Sequence, residues 1–403
     1  MLSMSIAQSD PITGEQTGLM RLAQGSTSAS NNCIRVEIIE DQAQGLHLWR
    51  ELGQKIQNVP LSASPAWIET WLDQYAGEIR VQFLTGYRGD QLIGCCLLGR
   101  REVRVLPGLS VTELFIGTAG ERHGHSVCVE YNDVLVIENE RADFIHAILQ
   151  QLGQTPGWHR LTIPGVHADI SAPWCAEIPQ LRLRKRQVLS RESRFFDLRS
   201  CREENGEILN SLGKSTRSNL KRRCKQLEPL EIQWAETETE ALEIFEELID
   251  LHQARWTAVG QPGAFASRSF SNFQRQLILR TFSDGRVVLA RIQSQGSTIG
   301  CLYLLNDRQR LLDYVSGFTS FENAGSPGLV SHYLCMQEAC QRGFEAYDFL
   351  VGEKRHKENL GKSATALEWI QLERSHLAFT LTDLARSGKQ LLKKWVPNRK
   401  EQN

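Results

Sequence analysis

The sequence predicts an α/β protein of the α+β kind, made of two related halves with mixed, mostly antiparallel sheets. Three observations lead there. Short β-rich runs follow one another across glycine-containing turns, as in a meander, with helix patterns before and after them. No GxGxxG follows a strand, and the regular β-α-β alternation of a doubly wound sheet is missing. Leu92-Ile93-Gly94-Cys95-Cys96-Leu97-Leu98 is echoed by Thr298-Ile299-Gly300-Cys301-Leu302-Tyr303-Leu304, each after a strand and a turn.

A chain of 403 residues exceeds one ordinary core, so two domains of about 100 to 200 residues are expected. Residues 1–32, rich in Ser, Gln, Gly and Thr, lack periodicity and read as a disordered segment. The first half covers 33–180. Cys33 to Ile39 alternates as a strand, and Gln42 to Ile56 is a helix with Leu46, Trp49, Leu52 and Ile56 on one face. Ser64-Pro65 opens a second helix, since proline is tolerated in the first turn. Val81 to Tyr87, Gln91 to Leu98, Arg101 to Leu106 and Leu114 to Ile116 form a meander turning at Arg88-Gly89-Asp90. Tyr131 to Ile137 is a further strand, Glu140 to Leu152 a helix, and Arg160 to Ile163 a strand.

Residues 181–210 are a basic connection, a strand plus a link, with Arg182, Arg184, Lys185, Arg186, Arg191, Arg194, Arg199 and Arg202. The second half covers 211–378. Its helices are Gly206 to Leu227, entered from the connection, then Thr239 to Trp256 and Ser271 to Thr281; Glu231 to Trp234 is a strand between the first two. Val287 to Ile292, Ser297 to Leu305 and Arg310 to Gly317 make a three-strand meander, and Ala366 to Leu372 is the last strand. Residues 379–403 read as a C-terminal amphipathic helix and tail, with Leu381 to Trp395 helical. Its run Leu391-Leu392-Lys393-Lys394-Trp395 suits either packing onto the domain or a peripheral membrane contact.

With 41% hydrophobic and 23% charged residues and a formal net charge of -1, nothing global pulls the chain toward nucleic acid or anionic membrane. No apolar run approaches the ~18 residues of a membrane span. The N-terminus lacks the basic and apolar regions of a secretory signal. Ten cysteines lie scattered in apolar patterns without paired CxxC motifs, which fits reduced thiols in a cytoplasmic protein. His123 and His125 flank Gly124 with no carboxylate or cysteine at ligand spacing, so no metal is expected.

The chemistry concentrates between Ser326 and Trp369. Gly325-Ser326-Pro327-Gly328 precedes an apolar helix pattern from Leu329, which stops at Gly343. Tyr347-Asp348-Phe349-Leu350-Val351 reads as a strand with a carboxylate in an apolar run, and Glu353-Lys354-Arg355-His356-Lys357 as a charged loop. Ser326 with Pro327 is either a plain helix N-cap or the rim of an anion site on the helix start. Asp348 is either half of a buried ion pair or a base for an acceptor. Arg217, Lys221 and Lys225 stack at helical spacing opposite Leu220, Cys224 and Leu227, with Lys214, Arg222 and Arg223 beside them. That face is either solvated or meets an anion. His252 and Arg255 are polar at an apolar helix boundary and suit a pocket; Trp256 reads as core, or with Phe265 as a pocket wall. Tyr303 and Tyr314 are candidate acids for a departing thiolate, and Asp313 an alternative base.

These motifs, in this order, resemble a CelD-type acetyltransferase-like domain of the GNAT superfamily, which is related to the FemAB aminoacyltransferases. The residues that carry the likeness are Arg217, Lys221-Arg222-Arg223, His252-Gln253-Ala254-Arg255-Trp256, Ile299-Gly300, Ser326-Pro327-Gly328, Gly343, Asp348-Phe349, Gly352 and Lys357. The fit is close over roughly 210–375 and loose over about 60–200. The resemblance implies tandem GNAT-like folds with acetyl-CoA, or another acyl-CoA, as donor. It implies a cofactor site at Gly325, Ser326, Gly328 and Leu329, catalysis by Asp348 and Lys357, which Tyr314 joins as the candidate acid read from the residues above, and substrate contacts from Arg217, Lys221, His252, Arg255 and Trp256. It also implies a saccharide-type acceptor, through the family's link to cellulose and exopolysaccharide synthesis. Two departures stand out. Glu322-Asn323-Ala324-Gly325-Ser326-Pro327-Gly328 lacks the basic first residue of the usual pyrophosphate turn, and His356 replaces the usual aromatic before the lysine.

Three functions follow. The first is acetyl transfer to an amine or hydroxyl of a saccharide or cell-envelope precursor. The second is FemAB-like transfer from aminoacyl-tRNA, favoured by the two basic stretches. The third is a non-catalytic scaffold of a polysaccharide-synthesis complex that keeps the fold with a decayed cofactor turn.

Overall fold

Strand residues that alternate between two apolar surfaces need cover on both, and this pattern sets the architecture. Phe83 and Leu84, Leu97 and Leu98, Val288 and Leu289, and Leu302 and Tyr303 are neighbours whose side chains enter different cores. The computed structural model describes residues 33–204, 206–319 and 326–384.

The first half starts with β1 (Ile34–Ile39), α1 (Gln42–Lys55) and α2 (Pro65–Tyr75), then the meander β2 (Arg80–Arg88), β3 (Gln91–Leu106) and β4 (Leu109–Ile116). A long irregular loop carrying the two-residue β5 (Leu135–Val136) leads to α3 (Arg141–Gln154) and β6 (Arg160–His167). The connection is β7 (Leu183–Asp197), α4 (Leu198–Glu203), α5 (Ile208–Ser211) and α6 (Lys214–Leu227). The second half repeats the order with β8 (Leu230–Trp234), α7 (Glu238–Ala258), α8 (Arg268–Thr281), β9 (Val287–Ser294), β10 (Ser297–Asp307), β11 (Arg310–Phe318), α9 (Pro327–Gln341) and β12 (Ala346–Val351). The short α10 (Arg355–Leu360) and β13 (Ser363–Arg374) follow, and residues 377–384 are helical.

All strands join one 13-stranded sheet, ordered β1-β2-β3-β4-β6-β13-β7-β12-β11-β10-β9-β8, with β5 beside β3. The described residues from Ile34 onward form one compact unit, so the boundaries expected near 180 and 210 fall at the sheet's centre. There β13 runs antiparallel between β6 and β7, and β7 pairs in turn with β12. On one face α1, α2, α7 and α8 share a core holding Trp49, Trp71, Phe245 and Phe273. Trp67 meets Phe273 edge-on at 5.0 Å, and Arg280 bridges to Asp73 at 2.6 Å, tying the halves together. On the other face α3 covers the first half, and α6 and α9 the second.

The repeated Ile-Gly-Cys has one physical reason. It lies on the same strand of each half, β3 and β10. A Cβ at Gly94 would stand 2.5 Å from Phe144 of α3, and one at Gly300 2.6 Å from Ser331 of α9. Glycine lets the covering helix approach the sheet in both places.

Several expectations change. Gln91–Leu106 is one continuous strand because β2 and β4 pair along its length. The strand expected over 131–137 shrinks to two residues, as Tyr131 takes a left-handed φ of 56° and its loop crosses to the second half. The helix expected from Gly206 breaks before α6, and part of the charged loop after Gly352 is α10. The segment 1–32, Gly325, and Leu391 to Trp395 lie outside the described residues. Among the described residues no helix is long and apolar enough to cross a membrane.

Candidate active site

Where β11 and β12 part, the sheet opens. They run parallel and pair at Arg310↔Ala346, Leu311↔Tyr347 and Leu312↔Asp348. Beyond that pairing, residues of β11 and of the β12 end line a cleft of two compartments. One, of about 750 Å³, is walled by Ser215, Asn219, Arg222 and Arg223 of α6 and by Ser326 and Gly328 at the start of α9. The other, of about 440 Å³, is walled by Glu130, His252, Trp256, Asp313, Tyr314 and Lys357. Arg255, Ser316, Lys354 and His356 line both, so the compartments meet.

The α9 start is open to the larger compartment. Ser326 is left-handed, at φ 60° and ψ 62°, and its side chain caps nothing. The plain N-cap is therefore not what these residues form. Leu329 N–H reaches back to the Ser326 carbonyl at 3.0 Å, and Gly328 and Leu329 line the cleft. The basic face of α6 is rotated from the expected stripe. Leu220 and Leu227 are buried against the α9 core, which turns Asn219, Arg222 and Arg223 to the cleft. Lys221 and Lys225 are left solvent-exposed and Arg217 half-buried on another flank of the helix. Arg223 Nε is buried with no hydrogen-bond partner among the described residues.

At the wedge apex β12 bulges. Its register against β7 shifts between Asp348 and Val351, and Leu350 takes a left-handed φ of 58°. A leucine there is strained, and its surroundings hold it. Asp348 is fully buried. Its Oδ1 accepts from Ser193 Oγ at 2.6 Å and from Leu350 N–H at 2.7 Å. Its Oδ2 accepts from Tyr131 O–H at 2.5 Å and Arg310 Nη1 at 2.7 Å. With both oxygens doubly engaged, Asp348 has no lone pair left for an acceptor proton. This geometry fits the clamp and not the base. Glu130 accepts from Val351 N–H at 3.0 Å, and Lys357 Nζ donates to the carbonyls of Leu350 and Val351, both at 3.0 Å. Burial raises the Glu130 carboxyl to about 7, against the Val351 N–H and the Lys357 charge, which act the other way. Burial likewise lowers the Lys357 ammonium.

Tyr314 lines the smaller compartment, but its O–H donates to the Val127 carbonyl and accepts from Gln274 Nε2 at 3.0 Å, so its proton is already engaged. Tyr303 is wholly buried. His252 is buried, 3.2 Å from Gln253 Oε1, and desolvation lowers its pKa. Trp256 is 38% exposed at the cleft and thus a wall, while Phe265 behind it is core. Three side chains from separate elements, Asp313, His332 and His356, also converge here with metal-ligating atoms close together. Burial brings both imidazoles to about 3, leaving them uncharged at neutral pH. Glu130 is the residue sequence reasoning missed. Its signal was available, a carboxylate inside Val127-Cys128-Val129-Glu130-Tyr131.

Of the cleft-lining residues named above, all but Glu130 lie within a recognised segment. Residues 214–358 match the acetyltransferase (GNAT) domain. The match is to the domain at large and does not single out the CelD-type branch. FemX, a solved structure, aligns over 82% of this chain and 96% of its own, at 12% identity and a TM-score of 0.53. L-PGS from Bacillus licheniformis aligns over 86% and 97%, at 10% identity and a TM-score of 0.50. At these identities the likeness is one of fold. No curated protein matches the sequence. Residues 214–358 thus carry the signature of an acetyltransferase (GNAT) domain, and the chain shares its fold with FemX.

Proposed function

We propose that the protein transfers an acetyl group from acetyl-CoA to an amine or hydroxyl of a saccharide-type or cell-envelope precursor. The observation that carries this is the two-compartment cleft at the β11–β12 wedge. One compartment suits a phosphate-bearing donor, and the other holds a carboxylate suited to deprotonating an acceptor. Domains of this family generally take an acyl-CoA donor. The dipole at the α9 start, with Arg222 and Arg223 opposite, favours its phosphates. Glu130 takes the proton from the amine or hydroxyl as its nitrogen or oxygen bonds to the thioester carbonyl carbon; the C–S bond then breaks, and the departing CoA thiolate takes up that proton. The Lys357 ammonium, held at the bulge, stabilises negative charge developing on that oxygen. The saccharide class rests on the CelD-type resemblance.

The corresponding helix of the first half argues that only one half serves. The start of α3 bears Glu140 and Asp143, and Arg88 pairs with both, at 2.6 and 3.0 Å. Acids there repel a phosphate, whereas the first turn of α9 has none.

Calorimetric titration with acetyl-CoA tests the reading. Arg222→Ala/Arg223→Ala is expected to weaken binding about 10²- to 10⁴-fold, since hydrogen bonds to charged groups contribute roughly 1.5–3 kcal/mol each. Arg222 is exposed, so its loss should change stability by less than about 0.5 kcal/mol. Equal affinity in the variant would sink the assignment of the donor compartment. Lys221 and Lys225, exposed beside Arg222, keep the aminoacyl-tRNA reading in view. Charged tRNA bound with steep salt dependence, and acetyl-CoA not bound at all, would favour it.

A further inference from the structure

We infer that Asp313, His332 and His356 form a binding site for a divalent transition-metal ion, with an open coordination position on the cleft. The three residues come from β11, α9 and α10, and one ligand atom of each lies within 4.8 Å of the others. Two of those side chains have buried atoms that nothing satisfies. Asp313 Oδ1 and His332 Nε2 have no hydrogen-bond partner among the described residues. His332 is 1% exposed, and its Nδ1 sits 3.0 Å from Tyr347 O–H. That contact orients the ring and leaves Nε2 toward Asp313 Oδ2, 3.7 Å away, too far for a hydrogen bond.

In the tautomer whose Nδ1–H donates to the Tyr347 hydroxyl oxygen, His332 Nε2 is unprotonated and faces the Asp313 carboxylate with no donor between them, which is costly to bury. A cation between them removes the cost. Two imidazoles and one carboxylate suit zinc with a fourth position open, and also ferrous iron. His332 lines the larger compartment, Asp313 the smaller and His356 both, so the open position lies where the two compartments meet. Of the two lysines beside the cluster, Lys357 donates to the Leu350 and Val351 carbonyls, and Lys354 is solvent-exposed. The imidazoles of His332 and His356 are stacked, 5.0 Å apart at 17°. Metal–nitrogen bonds of about 2.0–2.1 Å require those rings to turn apart. His356, in the first turn of the short α10 at the cleft wall, supplies that motion.

Full-length protein without an affinity tag, stripped by chelator, would be titrated with Co²⁺ and then Zn²⁺, and with Fe²⁺ without oxygen. One equivalent of Co²⁺ is expected to give visible d–d bands that Zn²⁺ abolishes. His356→Ala and Asp313→Asn should each weaken the ion by about 100-fold or more. His356→Ala lies at the cleft wall and is the variant whose fold is safest; circular dichroism checks both. His123→Ala/His125→Ala should leave binding unchanged. Absence of bands at one equivalent, or folded His356→Ala binding like the native chain, overturns the site. None of these readouts depends on acyl transfer.

Discussion

Asp348→Ala is expected to lower the unfolding free energy by roughly 3–5 kcal/mol, the range for removing one partner of a buried ion pair. The change strips an acceptor from four donors at once: Ser193 Oγ, Leu350 N–H, Tyr131 O–H and Arg310 Nη1. Those donors come from β7, the β12 bulge, the first-half loop and β11, so the loss spreads across the middle of the sheet. The Arg310 side chain is 26% exposed and can recruit water, which places the effect nearer the lower end. Urea denaturation measures it. Asp348→Asn separates clamp from base. A clamp loses stability in proportion and the folded fraction keeps turning over. A base instead loses about 10²- to 10⁴-fold in kcat with stability nearly intact.

The sequence identifies Asp348 for a sound reason but does not supply its partners. A carboxylate in an apolar strand must find donors, and the nearest cations along the chain are Lys354, Arg355 and Lys357. The guanidinium it meets belongs to Arg310, brought there by the parallel β11–β12 pairing. The hydroxyl belongs to Tyr131, 217 residues earlier. Local patterning fixes which face a residue takes. It does not say which strand lies alongside, and here the deciding neighbours come from the other half.

The same limit explains α6. Its apolar positions were legible, and Leu220 and Leu227 are indeed the buried ones. The direction of the remaining surface depends on where α9 lies, which no periodicity records. Hence Arg222 and Arg223 reach the cleft while the more regular Arg217–Lys221–Lys225 stripe does not line it. By contrast, the alternation of the strands, the spans of α1, α3 and α7 and the repeated Ile-Gly-Cys are local properties, and these were readable in advance.

Glu130→Gln is expected to reduce kcat by about 10²- to 10⁴-fold while leaving acetyl-CoA affinity unchanged. Glutamine keeps an oxygen for the Val351 N–H, so the bulge stays supported. What is lost is the ability to take a proton. Burial raises this carboxyl to about 7, and the base acts only when ionised. The kcat/KM profile should therefore climb as pH rises through about 7 and then level off, and the variant should lack that limb. Stability has the opposite slope. The folded state holds the proton more tightly than the unfolded chain, whose carboxyl titrates near its ordinary value of 4.5. Between 4.5 and about 7 the unfolded chain has released the proton and the native one has not, so this group's contribution falls as pH rises across that window. Activity and stability pulling apart over one pH interval, both through Glu130, is a signature that a merely structural carboxylate would not give. A Glu130→Gln enzyme with native kcat and an unchanged pH profile would return the search for the base to the other groups of the acceptor compartment.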